Sequence, residues 1–243
     1  MWIFTSIKNY GEMVDKISYS VFVISSAFLF FLAQTNDEFM KALEKISFGV
    51  TIDVFNLRLC VAIFYVPLIM GLFEHIFKLH DVWATIFGIR KRFDKKIIVN
   101  EFLKFAKSKK KAKDLTDIQV RKIMNNCFYQ YASSTDPIID SHYITLALTE
   151  WCWFWIIFDT LLLYDLVGIV WLGISWWNWK SFIIFIVIEI LLILLLMLIY
   201  CKAGKYAKKE VNEIMLIKDK EILNDKSMKD IIKEAVKSAL QNK

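Results

Sequence analysis

Glycine, proline and cysteine are all scarce in this chain. Its 243 residues include 7 glycines, 2 prolines and 4 cysteines. Low glycine and proline contents argue against a loop-rich fold and favour long helices with few turns. The cysteines lie far apart, without the spacing of a disulfide framework or a zinc site, so we predict no metal centre.

Common enzyme motifs are also missing. The sequence has no Gly-x-x-x-x-Gly-Lys phosphate loop, no His-Glu-x-x-His, no Cys-x-x-Cys and no Gly-x-Ser-x-Gly. Its three histidines, His75, His80 and His142, lie near the ends of apolar segments and lack catalytic spacing. We therefore expect no catalytic residue, no enzyme activity and no cofactor.

Hydrophobic residues dominate the composition. They make up 57% of the chain, yet 23% of residues are charged, and the two populations separate along the sequence. This separation is typical of a membrane protein with substantial water-facing parts. Four apolar segments, at about 17–33, 54–77, 144–172 and 181–200, are long enough to cross a bilayer as helices. The predicted fold class is an all-α membrane protein with four transmembrane helices.

Lysine and arginine are distributed unevenly between the connections. Segments 1–16, 78–144 and 202–243 carry two, fourteen and eleven of them. Segments 34–53 and 173–180 carry only three between them, one of which is Lys180. Positive charge favours the cytosolic side of a membrane. We therefore expect both termini and segment 78–144 on the cytosolic side of the membrane.

These features divide the chain into five parts. They are an interfacial segment (1–16), spans one and two (17–77), a basic helical cytosolic module (78–143), spans three and four with an aromatic outer loop at 173–180 (144–201), and a cytosolic amphipathic tail (202–243). Within 17–77, the outer loop 34–53 has Phe39, Leu43 and Ile46 at helical spacing, which predicts a short helix.

The module shows helical periodicity. Ile98, Phe102 and Phe105 share one helical face. Thr116 and Gln119 have the spacing of a capping box that opens a further helix. The apolar stripe predicted for that helix consists of Val120, Ile123, Met124, Cys127 and Tyr131.

The basic residues of the module are the expected site for an anionic group. Such a cluster attracts either the phosphates of a nucleotide or oligonucleotide, or anionic lipid headgroups, and both interpretations stay open. The residues are Arg90, Lys91, Arg92, Lys95, Lys96, Lys107, Lys109, Lys110, Lys111 and Lys113.

Charged residues within the apolar segments form a second candidate site. Glu150, Asp159 and Glu189 are carboxylates, and an ionised carboxylate near the middle of a span costs roughly 2.5 kcal/mol or more. They form either a polar pathway, which requires several copies of so small a chain, or hydrogen bonds that hold helices together. Arg58 either extends to the outer interface or pairs with Asp159 or Asp165.

The tail ends in an amphipathic helical pattern with lysines opposite its apolar face. This face needs a partner, which is the module, another copy of the chain or the membrane surface. The expected contact residues are Met228, Ile231, Ile232, Val236 and Leu240.

Four spans, a basic module at 78–143 and intramembrane carboxylates together resemble the small four-span membrane effectors of bacterial anti-phage defence systems. The resemblance implies an oligomeric channel or pore-forming effector, with a tetramer favoured, embedded in the lipids of a bacterial inner membrane. It also implies gating through the module by a nucleotide, an oligonucleotide or a protein partner. The alternatives are a non-conducting scaffold that recruits a cytosolic protein partner and, ranked lower, a secondary transporter.

Overall fold

Helices make up most of the computed structural model. It describes residues 7, 9–35, 37–46, 51–54, 57–105, 112–129, 131–132, 141–174 and 179–221. The α-helices are α1 (Tyr10–Thr35), α2 (Asp37–Ile46), α3 (Ala62–Phe77), α4 (Leu79–Ile86), α5 (Ile89–Phe93), α6 (Asn100–Phe105), α7 (Asp117–Ile123), α8 (Ser141–Ile174) and α9 (Trp179–Glu221). Two π-helices, Asp94–Val99 and Met124–Tyr129, and a 3₁₀ turn, Ala112–Asp114, complete the helical part.

A short hairpin precedes α3. Strand β1 (Thr51–Val54) pairs antiparallel with β2 (Leu57–Cys60), and Asp53 lies opposite Arg58 in the register. We predicted that the second span begins near residue 54, but the chain forms this hairpin there instead. Polar and apolar side chains alternate along both strands, which is the pattern of β-structure. Arg58 lies in a strand instead of a span, and both interpretations of its side chain stay predictions.

The chain is a membrane protein by the length and apolarity of its helices. Among the described residues, three helical segments are long and apolar enough to cross a bilayer: Tyr10–Gln34, His142–Leu166 and Phe182–Leu216. In that part of the chain, α3 and α4 give a fourth candidate if they count as one span broken by a 66° bend. Alone, the 16 residues of α3 extend about 24 Å, less than the ~30 Å hydrocarbon core.

The described residues group into two compact units. Unit 1 consists of Gly11–His80 and Cys152–Ile199. Unit 2 consists of Asp81–Trp151, the residues from Tyr200 onward, and Ile7, Asn9 and Tyr10. The predicted module 78–143 falls almost entirely in unit 2, where most of its described residues are helical.

In unit 1, a glycine brings α1 and α3 close together. A Cβ atom on Gly71 would lie 3.0 Å from the Ser18 carbonyl oxygen and 3.3 Å from the Phe22 Cβ. The buried hydroxyls of Ser18 and Ser25 donate to carbonyls of their own helix, those of Val14 and Val21. Both serines therefore present short side chains whose hydroxyl groups are already hydrogen-bonded within α1.

Two further contacts hold unit 1 together. Met40 and Leu43 of α2 belong to one buried cluster with Ala33 of α1 and Ala62 and Ile63 of α3, so the short helix predicted in loop 34–53 is confirmed. The second contact joins α8 to α9, where the rings of Tyr164 and Phe185 stack with centroids 4.8 Å apart. The Tyr164 hydroxyl also donates to the Phe185 carbonyl at 3.2 Å.

Unit 2 has its own apolar core. Phe93, Phe102 and Ile123 are buried at its centre, and the predicted stripe from Val120 to Tyr131 is buried as a whole. The capping box at Thr116 and Gln119 is confirmed, with both reciprocal hydrogen bonds present. The module's phenylalanines therefore serve mainly as core residues.

Helix α9 continues without a break from the fourth apolar segment into the tail. It runs for 43 residues, and Ala203, Ala207 and Val211 of its second half pack into the core of unit 2. The predicted boundary at 201–202 is thus not a helix end. The predicted contact residues of the tail, Met228, Ile231, Ile232, Val236 and Leu240, lie outside the described residues.

Candidate functional site

A groove with a volume of about 570 Å³ lies on the surface of unit 2. Helices α4, α5 and α7 and both π-helices contribute to its walls. π-Helical turns are rare and are found frequently at functional sites, which directs attention to this groove. Its lining consists of Asp81, Ala84, Thr85, Gly88, Arg90, Lys91, Asp94, Asp117, Val120, Arg121, Met124, Asn125 and Tyr129.

Two polar contacts organise the cationic side of the groove. A guanidinium nitrogen of Arg90 donates to the Tyr129 hydroxyl at 3.4 Å. The Lys91 ammonium group lies 2.5 Å from a carboxylate oxygen of Asp117, and both side chains are mostly exposed. Within the described part of the chain, Arg121 forms no salt bridge. Arg90 and Arg121 are thus the two arginines of the groove lining, and neither has a salt bridge among the described residues.

Burial perturbs the acid groups of the groove. Burial of Asp94 raises its pKa from 3.8 to about 6, and the nearby Arg90 only partly opposes this shift. Burial also raises the pKa of Tyr129, and the charge of Asp94 adds to that rise. Tyr129 is therefore a neutral hydroxyl at physiological pH, able to donate a hydrogen bond to a ligand.

The structure divides the predicted basic residues into groups. Arg90 and Lys91 line the groove, whereas the Lys95 ammonium group donates to the Leu115 carbonyl at 2.7 Å and so has a structural contact. The side chains of Arg92, Lys96 and Lys113 are exposed away from the groove lining. Lys107, Lys109, Lys110 and Lys111 lie outside the described residues.

The three predicted intramembrane carboxylates have three different environments. Glu150 is buried in unit 2, and its carboxylate lies 2.5 Å from the Lys202 ammonium group of α9. Asp159 is buried in unit 1. Glu189 is only half-buried in unit 1, close enough to Tyr164 for the two groups to interact electrostatically. Each carboxylate thus has its own local environment, and the predicted polar pathway stays a prediction.

Comparison with known proteins places the chain in a family. The sequence matches the YmfE protein family over residues 9–234. The chain belongs to the YmfE protein family. No curated protein and no solved structure matches it. The YmfE match includes the groove, the three carboxylates and nearly all described residues.

This YmfE family member also has a buried pair that sequence reasoning missed. Glu74 at the end of α3 and His80 at the start of α4 are buried in unit 1, with a His80 ring nitrogen 2.5 Å from the Glu74 carboxylate. A signal was present, because Glu74 lies inside an apolar segment. Among the described residues no group of three or more metal-ligating side chains has metal-binding geometry.

Proposed function

We propose that the chain is a homo-oligomeric channel or pore-forming effector of the bacterial inner membrane, with tetramers favoured. Both termini and the module would lie in the cytosol, as the lysine and arginine distribution favours. The resemblance to small four-span effectors adds anti-phage defence as the expected context. The observation that carries the proposal is the position of Glu189 on α9.

Glu189 lies in the most apolar of the three candidate spans among the described residues, and that span has little cover. None of the most apolar 18-residue stretch within Phe182–Leu216 is buried, compared with 39% and 44% for the stretches in α1 and α8. A half-exposed carboxylate facing lipid would cost roughly 2.5 kcal/mol or more. Contact between copies through α9 removes Glu189 from lipid and gives it a shared polar path.

The groove of unit 2 supports control of this channel by an anionic ligand. Arginine presents planar donors that match phosphate or carboxylate oxygens, and the groove offers two of them, Arg90 and Arg121. Tyr129 adds an aromatic ring that can stack on a base. A nucleotide or oligonucleotide combines both features, so it is the proposed ligand class, with a protein partner as the alternative.

Ion flux tests the channel. Full-length protein in liposomes should release K⁺, and Glu189→Gln should lower the conductance roughly tenfold, because a ring of carboxylates concentrates cations at a pore. Glu213→Gln, a change of the same type on the same helix, serves as the matched control and should leave conductance unchanged. Equal conductance of wild type and Glu189→Gln at equal protein levels excludes Glu189 from the path.

A secondary transporter is the second candidate, favoured by the break between α3 and α4. Transporters commonly bind their substrates at discontinuous helices, and the 66° bend is the discontinuity that the sequence did not reveal. A transporter would show flux that saturates with substrate and no unitary current steps. Single-channel recording of the same liposomes distinguishes the two candidates.

The scaffold alternative recruits its partner through segment 78–144 and the tail, and the expected contact residues lie in the tail. Its contact residues lie beyond residue 221, outside the described part of the chain, so it stays a prediction from the sequence. Deleting residues 225–243 should abolish capture of a cytosolic partner if the scaffold interpretation is right, and should leave ion flux intact if the channel assembles through α9.

A further inference from the structure

Three ionisable side chains are buried together at the end of α3 in unit 1. The exposed fractions of Glu74, His80 and Asp159 are 2%, 1% and 7%. Charged side chains are rarely buried to this degree unless they are paired, and inside a membrane protein they usually mark functional sites. The charges of these three buried groups must therefore be compensated within the protein.

Glu74 holds the bend between α3 and α4. Its carboxylate oxygen Oε1 lies 2.5 Å from His80 Nδ1 and accepts the His80 backbone N–H at 3.3 Å. The chain between them turns at Lys78, which has a left-handed backbone with φ of 48°, and the Lys78 N–H donates to the Glu74 carbonyl. The Glu74 carboxylate thus contacts both the ring nitrogen and the backbone N–H of His80.

Asp159 faces this pair from α8. Trp155, one turn before Asp159 on the same helical face, has its ring 5.9 Å from the His80 ring. The charge of Glu74 acts directly on Asp159. The Asp159 oxygen Oδ2 is buried and has no hydrogen-bond partner among the described residues. A buried, ionised carboxylate oxygen without a donor is strongly disfavoured, and protonation of Asp159 removes that charge.

We propose that Glu74, His80 and Asp159 form a proton-binding site, in which Asp159 takes up a proton and its new O–H group donates a hydrogen bond to the Glu74 carboxylate. With both carboxyls ionised and His80 protonated, the cluster has a net charge of −1. One added proton makes it neutral and turns Oδ2 from an unsatisfied acceptor into an O–H donor. The Glu74 carboxylate is the acceptor that lies within electrostatic reach.

The proton is the ligand class that fits best. No metal-binding arrangement of three such groups exists within the described residues, so a divalent cation has no ligand set here. Proton uptake also has a structural consequence, since the new O–H group of Asp159 competes with His80 for the Glu74 carboxylate at the bend. The inference is independent of the proposed channel and deepens the transporter candidate, because a proton site at a helix break is what a proton-coupled carrier requires.

Two other titratable sites of unit 1 have different environments. Cys152, two turns before Asp159, is buried with its sulfur 3.9 Å from the Met13 carbonyl, and Lys16 of α1 acts on it. On the surface, His75 lies 3.4 Å from Asp15, and both side chains are more than half exposed. The Asp15–His75 pair has the same chemistry as Glu74–His80 without the burial, so it supplies a matched control.

Infrared difference spectroscopy tests the site. The full chain in nanodiscs is titrated from about pH 8 to about pH 5, and the carbonyl stretch of protonated buried carboxyls is recorded in H₂O and D₂O. Wild type should show such a band with slow deuterium exchange. Asp159→Asn should remove it, and Asp15→Asn should leave it unchanged.

A second variant keeps the proposal testable if Asp159→Asn does not fold. Asp159→Glu retains the carboxyl group and should shift the frequency of the band. A band that is unchanged in both Asp159 variants and in Glu74→Gln overturns the proposal. Loss of the wild-type band on addition of Na⁺ at constant pH also overturns it, because the site would then bind a metal cation in preference to a proton.

Discussion

Asp94 is the residue through which pH acts on the groove. Its pKa is raised by burial to about 6 from an ordinary 3.8. The folded protein therefore holds this proton at pH values where the unfolded chain has already lost it. By linkage, the free energy of unfolding falls as the pH rises from about 4 to about 6, and the ionised carboxylate destabilises the fold above that range.

Asp94→Asn should remove this pH dependence. We expect a gain of about 2 kcal/mol in the free energy of unfolding at about pH 8, because each pKa unit corresponds to ~1.4 kcal/mol and partial exposure reduces the total. Below about pH 4 the gain should vanish. Denaturant unfolding in detergent, followed by tryptophan fluorescence, measures both values.

The control for this prediction is Asp117→Asn. Asp117 is 63% exposed and paired with Lys91, so its replacement should change stability by less than about 1 kcal/mol at either pH. A stabilisation by Asp94→Asn of equal size at both pH values would contradict the assignment, because the effect would then not depend on ionisation.

At the residue scale, the sequence located the charges but not their partners. Glu150 was predicted as an intramembrane group, whereas its partner Lys202 was assigned to the tail, because nothing local shows which distant side chains meet. Glu74 and His80 are six residues apart, and on a straight helix they would point in different directions. Only the left-handed turn at Lys78 brings them together.

At the scale of helices, the contact between α1 and α3 depends on the absence of a side chain at Gly71. Gly71→Leu should lower the free energy of unfolding by roughly 1–3 kcal/mol, because the new side chain must displace the Ser18 backbone and Phe22. Thermal unfolding in nanodiscs measures this loss.

Gly88 gives a matched comparison, because it is constrained by conformation and not by space. Its φ is 60°, yet a Cβ atom there would have no neighbour within 4 Å. Gly88→Leu should therefore lower stability by only about 1 kcal/mol, and Gly88→Asn by less, since asparagine tolerates left-handed backbone. If Gly71→Leu lowered the free energy of unfolding no more than Gly88→Leu, the close approach of α1 and α3 would contribute little to stability.

Helices with local signals were the ones that sequence analysis predicted. The capping box at Thr116, the stripe that follows it and the short helix α2 all depend on spacing within a few residues. The hairpin was missed because its apolar residues extend the apolar segment of α3, although their period of two is that of strands. The π-helices have no comparable local signature.

At the scale of the whole molecule, the uncovered apolar stretch of α9 predicts self-association. Mass measurement of the full chain in nanodiscs should give a discrete oligomer, and absorbance at 260 nm on the same species should exceed that of the protein alone if a nucleotide occupies the groove. The double variant Arg90→Ala/Arg121→Ala should lose the excess absorbance and keep the oligomer. A monomeric wild type would leave Glu189 facing lipid and would rule out the channel.

The two π-helices also affect how this family should be aligned. A π-helical turn holds one residue more than an α-helical turn, so Asp94–Val99 and Met124–Tyr129 each resemble an α-helix that has gained one residue. A relative with a one-residue gap in either segment would close that turn as ordinary α-helix and keep its later side chains on the same faces. Such gaps would therefore mark family members that lack a π-helical turn in the groove wall while the flanking helices present the same residues.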